Sequence, residues 1–199
     1  MGNYKLIVLE FYMKKFKANN MLFPMPVLLI ATYNKDNSVN VMNAAWGTME
    51  DMDVILIELT SDHKTSLNIK KNKAFTVAFA DVKNVEPADY VGVVSGNKVE
   101  DKFAKTGWTA TKSEAVNAPI INELPVTLEC ELVRIDTTNG DFAVYGKIKS
   151  VSVRDDVLNE KDQLDLEKCQ FISYNSADHS YRLVGSKVAD AFKVGLKLR

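Results

Sequence analysis

VILIELTSDHKTSLNIKKNKAFTVAF, residues 54–79, sets two apolar runs on either side of a short polar segment. VILIEL (54–59) and AFTVAF (74–79) are rich in β-branched and aromatic residues, the composition of strands. Residues 65–72 between them read as a helix, with Lys70, Lys71 and Lys73 near its end, where cations complement the helix dipole. Ser61 or Asp62 stands where a capping side chain would accept from the first free N–H groups. The same turn offers unpaired N–H groups and partial positive charge, and His63, Lys64, Thr65 and Ser66 add donors around it. Taken alone, a polar helix start of this kind is usually a cap; the competing reading is an anion site, with phosphate the natural guest.

Working outward, PVLLIATY (26–33) and SVNVMN (38–43) flank the turn-forming cluster NKDN and predict a hairpin. YVGVVS (90–95) reads as a further strand. VTLECELVRI (126–135) and DFAVYGKIKSVSV (141–153) bracket Asp136 to Gly140 as a second, longer hairpin. Apolar alternation in its second arm slips once between Ile148 and Val151, the mark of a bulge. CQFISY (169–174) and YRLVG (181–185) complete the strands. Two more helices are predicted, 97–106 stopping at Gly107 and 186–194 stopping at Gly195. Many short antiparallel strands with a few inserted helices argue for a closed or split β-barrel, whose ends are the places for a ligand.

The totals narrow the function classes. The chain has 199 residues, 46% of them hydrophobic, enough for one continuous core. Its 25 basic and 26 acidic residues nearly cancel, so no field draws it to nucleic acid or to an anionic membrane. Cys130 and Cys169 lie far apart without CxxC spacing, and His63 and His179 are the only histidines. Neither a zinc site nor a disulfide framework is expected, and Cys130 is read as structural. KLIVLEFYMKK (5–15) is short and broken by Glu10, so it is read as neither signal peptide nor membrane span, and a cytoplasmic location is expected. GxSxG, HExxH, P-loop and GxGxxG patterns are all missing, which removes the corresponding chemistries.

Two further stretches carry candidate ligand contacts. In NAAWGTMED (43–51), Trp46 follows small residues and can stack on a planar ligand while Asn43 and Thr48 fix its edge; the competing reading is a tryptophan capping the core. SGNKVEDKF (95–103) places a Ser-Gly turn before a predicted helix whose Lys98 and Lys102 share a face that can reach a pocket.

Taken in order, these segments resemble the flavin reductase-like, FMN-binding split-barrel family in its flavoredoxin-like branch. The resemblance runs from about residue 14 to residue 195, so residues 1–13 are read as an N-terminal extension to one domain, 14–199. It implies a mainly β Greek-key split barrel with a few peripheral α-helices. It also implies a homodimer with FMN near the subunit interface. Members pass electrons between NADH, NADPH or a redox protein and the flavin. On the matching positions, Asn43, Ala45, Trp46 and Thr48 belong to the flavin-side segment, and Ser61, His63, Lys64 and Thr65 to the phosphate side. Phe79 and Ala80 match the strand end that borders the ribityl chain and ring. Ser95, Gly96 and Lys102 match the SG…DKF motif, whose lysine is a ring contact, and Tyr174 matches a late aromatic over the flavin. Thr60 stands where many relatives carry arginine, which leaves the phosphate charge to Lys64 or His63. Ala78 or Ala80 stands where many have asparagine. The flavin carries the redox chemistry, so no side chain is required as acid or base. The alternatives are a non-catalytic flavin-storing module on the same fold and a pyridoxamine-phosphate-oxidase-like enzyme on a related one.

Overall fold

The computed structural model describes residues 13–140 and 142–199; the expected N-terminal extension lies outside them except for Met13. The strands are β1 (Met25–Pro26), β2 (Leu28–Tyr33), β3 (Val39–Ala44), β4 (Gly47–Asp51), β5 (Val54–Glu58), β6 (Ala74–Phe79), β7 (Ala110–Lys112), β8 (Pro119–Ile121), β9 (Val126–Asp136), β10 (Ala143–Val153), β11 (Ile172–Asn175) and β12 (Ser180–Leu183). The helices are α1 (Lys64–Asn72), α2 (Val85–Val93) and α3 (Leu166–Cys169). Seven strands form one antiparallel sheet in the order β3-β2-β6-β9-β10-β5-β4.

The ends of that order explain the barrel. β3 and β4 are opposite edges of the sheet, yet only Ala45 and Trp46 join them. A flat sheet of this size would hold its edges about 29 Å apart at strand spacing. Three Cα steps from Ala44 to Gly47 reach about 11 Å at most. The sheet therefore curls until its edges meet at Ala45-Trp46, giving the mainly β split barrel that the sequence implies.

Strand alternation then sorts the apolar residues into two cores. Leu28, Ile30, Ile55, Ile57, Phe75, Val77, Cys130 and Val144 point inward, and Ile69 of α1 joins them. Val27, Leu29, Ala31, Val41 and Ala78 point outward and are covered by Ala88 and Val91 of α2, with Trp108 and Ile121. β2 is buried on both faces, which is why its LLIA is an unbroken apolar run instead of an alternating one. The predicted slip in the long hairpin is present as a register shift between Ile148 and Ser150, with a second between Tyr145 and Gly146.

Three local expectations fail. Residues 90–95 are not a strand: Val85–Val93 is helical. Pro87 sits in its first turn, where the missing N–H is harmless, and Ala88 and Val91 bury at helical spacing against β3. Residues 97–106 form turns with a single 3-10 turn at Ala104–Thr106, although Gly107 does end it with φ +72°. Residues 186–194 form no helix; only Val194–Leu198 is a 3-10 turn, because an amphipathic segment with nothing to bury against gains too little to nucleate. Among the described residues, no helix is long and apolar enough to cross a membrane, and no group of three or more His, Cys, Asp or Glu residues is placed to hold a metal.

Candidate functional site

The junction that closes the barrel also opens a groove. A wide chamber of about 430 Å³ lies against Ala45 and Trp46, with Asn43 at the end of β3, Leu59 after β5, Gly92 and Val93 at the end of α2, and Tyr174 and Tyr181 on β11 and β12. Asn43 Nδ2 donates to Ala88 O at 3.0 Å and so ties β3 to α2. Gly92 permits that approach, since a Cβ there would stand 3.0 Å from Asn43 Cβ. The Tyr174 hydroxyl shares a 2.7 Å hydrogen bond with His179 Nδ1, and Tyr181 donates to Asp89 at 2.7 Å. Burial and the Asp89 carboxylate both push the Tyr181 phenol well above its usual range, so it stays protonated.

A narrower chamber of about 130 Å³ continues from it, sharing Met42, His63, Gly92 and Val93 as walls. Its far side is Lys64 and Thr65 at the start of α1, facing Ser95, Gly96 and Lys102. The expected cap by Ser61 or Asp62 is not formed. His63 is the N-cap, with no side-chain hydrogen bond to the helix, and the first turn holds no acidic residue. Ser66 Oγ instead donates back to Thr60 O at 2.7 Å, which closes the preceding turn. The helix therefore presents its N–H groups and positive dipole end uncompensated beside the chamber.

The donors around it are set from beneath. Asn40 Nδ2 donates to Thr65 Oγ1 at 2.7 Å and more weakly to Thr32 Oγ1 at 3.4 Å. Asn68 Nδ2 donates to Thr32 Oγ1 at 3.1 Å and to Asn34 Oδ1 at 2.9 Å, so a buried polar network anchors α1 on β2 and β3. Because Thr65 accepts from Asn40, its own proton is free for the chamber. Gly96 packs directly on this network: a Cβ there would stand 2.6 Å from Asn40 Oδ1. Lys102 is 5% exposed, and its Nζ donates to Val91 O at 2.8 Å and Val94 O at 2.9 Å, closing the carboxyl end of α2. Burial lowers its pKa to about 8.

Residues 20–171 match the family model described as a flavin reductase like domain. The chain belongs to this family. It is 30% identical to the flavoredoxin of Desulfovibrio vulgaris (Miyazaki F), with TM-score 0.87 over 92% of this chain and all of that one. Against the flavoredoxin from Methanosarcina acetivorans the identity is 28% and the TM-score 0.84, over 94% of this chain and all of that one. An FMN-binding domain of a flavin reductase-like enzyme from Shewanella baltica OS155 shares the fold at 16% identity, with TM-score 0.73 over 85% and 91% of the two chains.

Within this flavin reductase like domain, most of the residues singled out from the sequence meet at one groove. Asn43, Ala45, Trp46, His63 and Tyr174 line the wide chamber; His63, Lys64, Thr65, Ser95, Gly96 and Lys102 line the narrow one. Four do not line it. Thr48 is exposed on β4 and Ser61 in the turn before α1. Ala80 is buried in the outer core, and Phe79 packs on Phe171 at a ring distance of 5.6 Å. Asn40, Asp89, Gly92, Val93 and Tyr181 were missed. The signal for Asn40 was a polar residue inside a strand covered on both sides. Gly92 and Val93 were hidden because their segment, residues 90–95, reads as a strand.

Proposed function

We propose that this protein is an FMN-dependent oxidoreductase that takes electrons from NADH, NADPH or a protein donor. The observation that carries the reading is the pairing of the two chambers. One is broad and walled by aromatic and apolar groups; the other is small, rich in donors and set at an uncapped helix N-terminus. A flat ring system with a phosphate on a short polar chain has that same division. The charges agree: Lys64 and Lys102 stand at the narrow end, whereas Glu58 and Asp89 stand at the wide end, away from a phosphate.

In this reading Trp46, Tyr174 and Tyr181 wall the ring, and Asn43 addresses its edge from β3. The N–H groups of the first turn of α1 hold the phosphate with Thr65 Oγ1 and Lys64 Nζ. Bound FMN would supply hydride and single-electron chemistry; the protein positions it and excludes water. Lys102 and Lys64 take over the charge that Thr60 does not provide.

The purified protein is expected to be yellow or to take up FMN, and the flavin bands to bleach on adding NADH, NADPH or dithionite. A colourless protein that refuses added FMN would end this reading. Colour together with reduction by NADH and NADPH no faster than that of free FMN would assign storage in place of turnover. Lys64→Ala is expected to weaken FMN binding by about 1–3 kcal/mol while leaving riboflavin binding unchanged, because only the phosphate meets Lys64. Equal losses for both ligands, measured by fluorescence titration, would move the phosphate elsewhere.

A further inference from the structure

Two apolar features outside the flavin groove are unpartnered among the described residues. One is a second groove of about 230 Å³, walled almost wholly by apolar atoms of Pro24, Val27, Phe79, Phe171, Ile172 and Val184. The other is the C-terminal tail, residues 185–199. Val184 N–H donates to Phe171 O at 2.9 Å; beyond it, the hydrogen bonds and the ion pair of the tail are all internal to it. Val188, Phe192 and Leu198 are 100%, 99% and 93% exposed. Side chains of this kind held in water, beside an apolar groove that also faces water, are each unfavourable, and each removes the other's cost by contact.

The protomer does not make that contact itself. Val184 is one wall of the groove, yet the chain leaves it and runs outward, so Val188 and Phe192 do not touch the body. Phe192 lies eight residues beyond Val184, a reach of about 29 Å when extended, ample to cross to a neighbour. Charge favours the same encounter. Of the chain's 25 basic and 26 acidic residues, the tail holds four basic (Lys187, Lys193, Lys197, Arg199) and one acidic (Asp190), leaving 21 and 25 for residues 1–184. A basic tail thus meets an acidic body. Since each copy carries both the groove and the tail, a twofold pair satisfies both at once.

We infer that the tail of one copy crosses to a second copy and seats Phe192 in its groove, against the wall formed by Phe79 and Phe171, with the second copy returning the contact. The docked ring covers the outer end of β6 and fastens the two protomers by an exchanged strap.

The test is intermolecular paramagnetic broadening. Full-length Lys193→Cys carries a nitroxide; the native Cys130 and Cys169 are buried and do not compete for it. Mixed with ¹⁵N-labelled chains that carry no nitroxide, it is expected to broaden the amide signals of Phe79, Phe171 and Ile172 in the labelled copy. Phe192→Asp in the labelled-nitroxide chain is expected to remove that broadening and to raise the dissociation constant of the pair at least tenfold by light scattering. Broadening seen only when nitroxide and ¹⁵N share one chain, diluted in unlabelled protein, would mean self-docking and overturn the inference. No broadening in either arrangement would overturn it too, as would a pair whose dissociation constant Phe192→Asp leaves unchanged.

Discussion

An ammonium group removed from water keeps its proton less firmly, and Lys102 is the residue where this has a visible consequence. Burial brings its pKa to about 8 from an ordinary 10.5. Below pH 8 the lysine is charged in both the folded and the unfolded chain, and its burial is a standing penalty. Between pH 8 and 10.5 the unfolded chain still holds the proton that the folded chain has released, so the contribution of Lys102 to stability rises with pH across that window. Urea denaturation is expected to show the stability of wild type relative to Lys102→Met climbing from pH 8 to 10.5; a flat difference would contradict the burial. If the ammonium also serves the flavin, FMN affinity falls over the same range in wild type and not in the variant. Trp46 is the opposite case, 54% exposed on a two-residue link. Trp46→Ala is expected to change stability by about 1 kcal/mol or less and to weaken flavin binding by about 0.5–1.5 kcal/mol, with a change in flavin fluorescence. A large loss of stability with unaltered flavin binding would make it a core cap.

At the scale of elements, interior side chains pack so closely against β10 in the barrel wall that its glycine has no room for a side chain. A Cβ on Gly146 would stand 2.4 Å from Phe75 Cζ and 3.2 Å from Cys130 Cβ. Gly146→Ala is expected to lower stability by about 1–3 kcal/mol, and Phe75→Leu in the same chain to recover part of it, by thermal or urea unfolding. An unchanged midpoint in Gly146→Ala would mean that the Phe75 ring has freedom the packing denies. The elements also show where local composition misleads. Residues 90–95 have the β-branched and aromatic content of a strand, but the Pro87 turn and the burial of Ala88 and Val91 on β3 draw Tyr90 to Val93 into α2. Helix α1 was legible within one residue, because its polar run sits between two unmistakable strands. Its missing cap was not: Ser61 and Asp62 are good caps by type, but the turn closed by Ser66 and Thr60 holds them ahead of the helix start, with His63 at the N-cap.

For the whole molecule, a ligand that binds only the folded barrel must stabilise it. FMN at about a hundred times its dissociation constant is expected to add about 2.7 kcal/mol, and riboflavin at the same concentration less, seen as a smaller rise in melting temperature. Equal shifts would say that the narrow chamber contributes nothing. Much of this architecture is written in the chain itself. Alternation, turn residues and the order of the runs determine a mainly β barrel with α1 between β5 and β6, because periodicity decides which faces bury and short turns force neighbours to pair. Composition alone also sets a near-neutral net charge. Tertiary structure alone decided that Phe79 and Ala80 turn away from the groove. It also placed Asn40 under Thr65 and Lys102 at the end of α2, across from the start of α1. Each of those depends on which residues the closing of the sheet at Ala45-Trp46 brings within a few ångströms, and contacts between distant segments leave no local pattern to read.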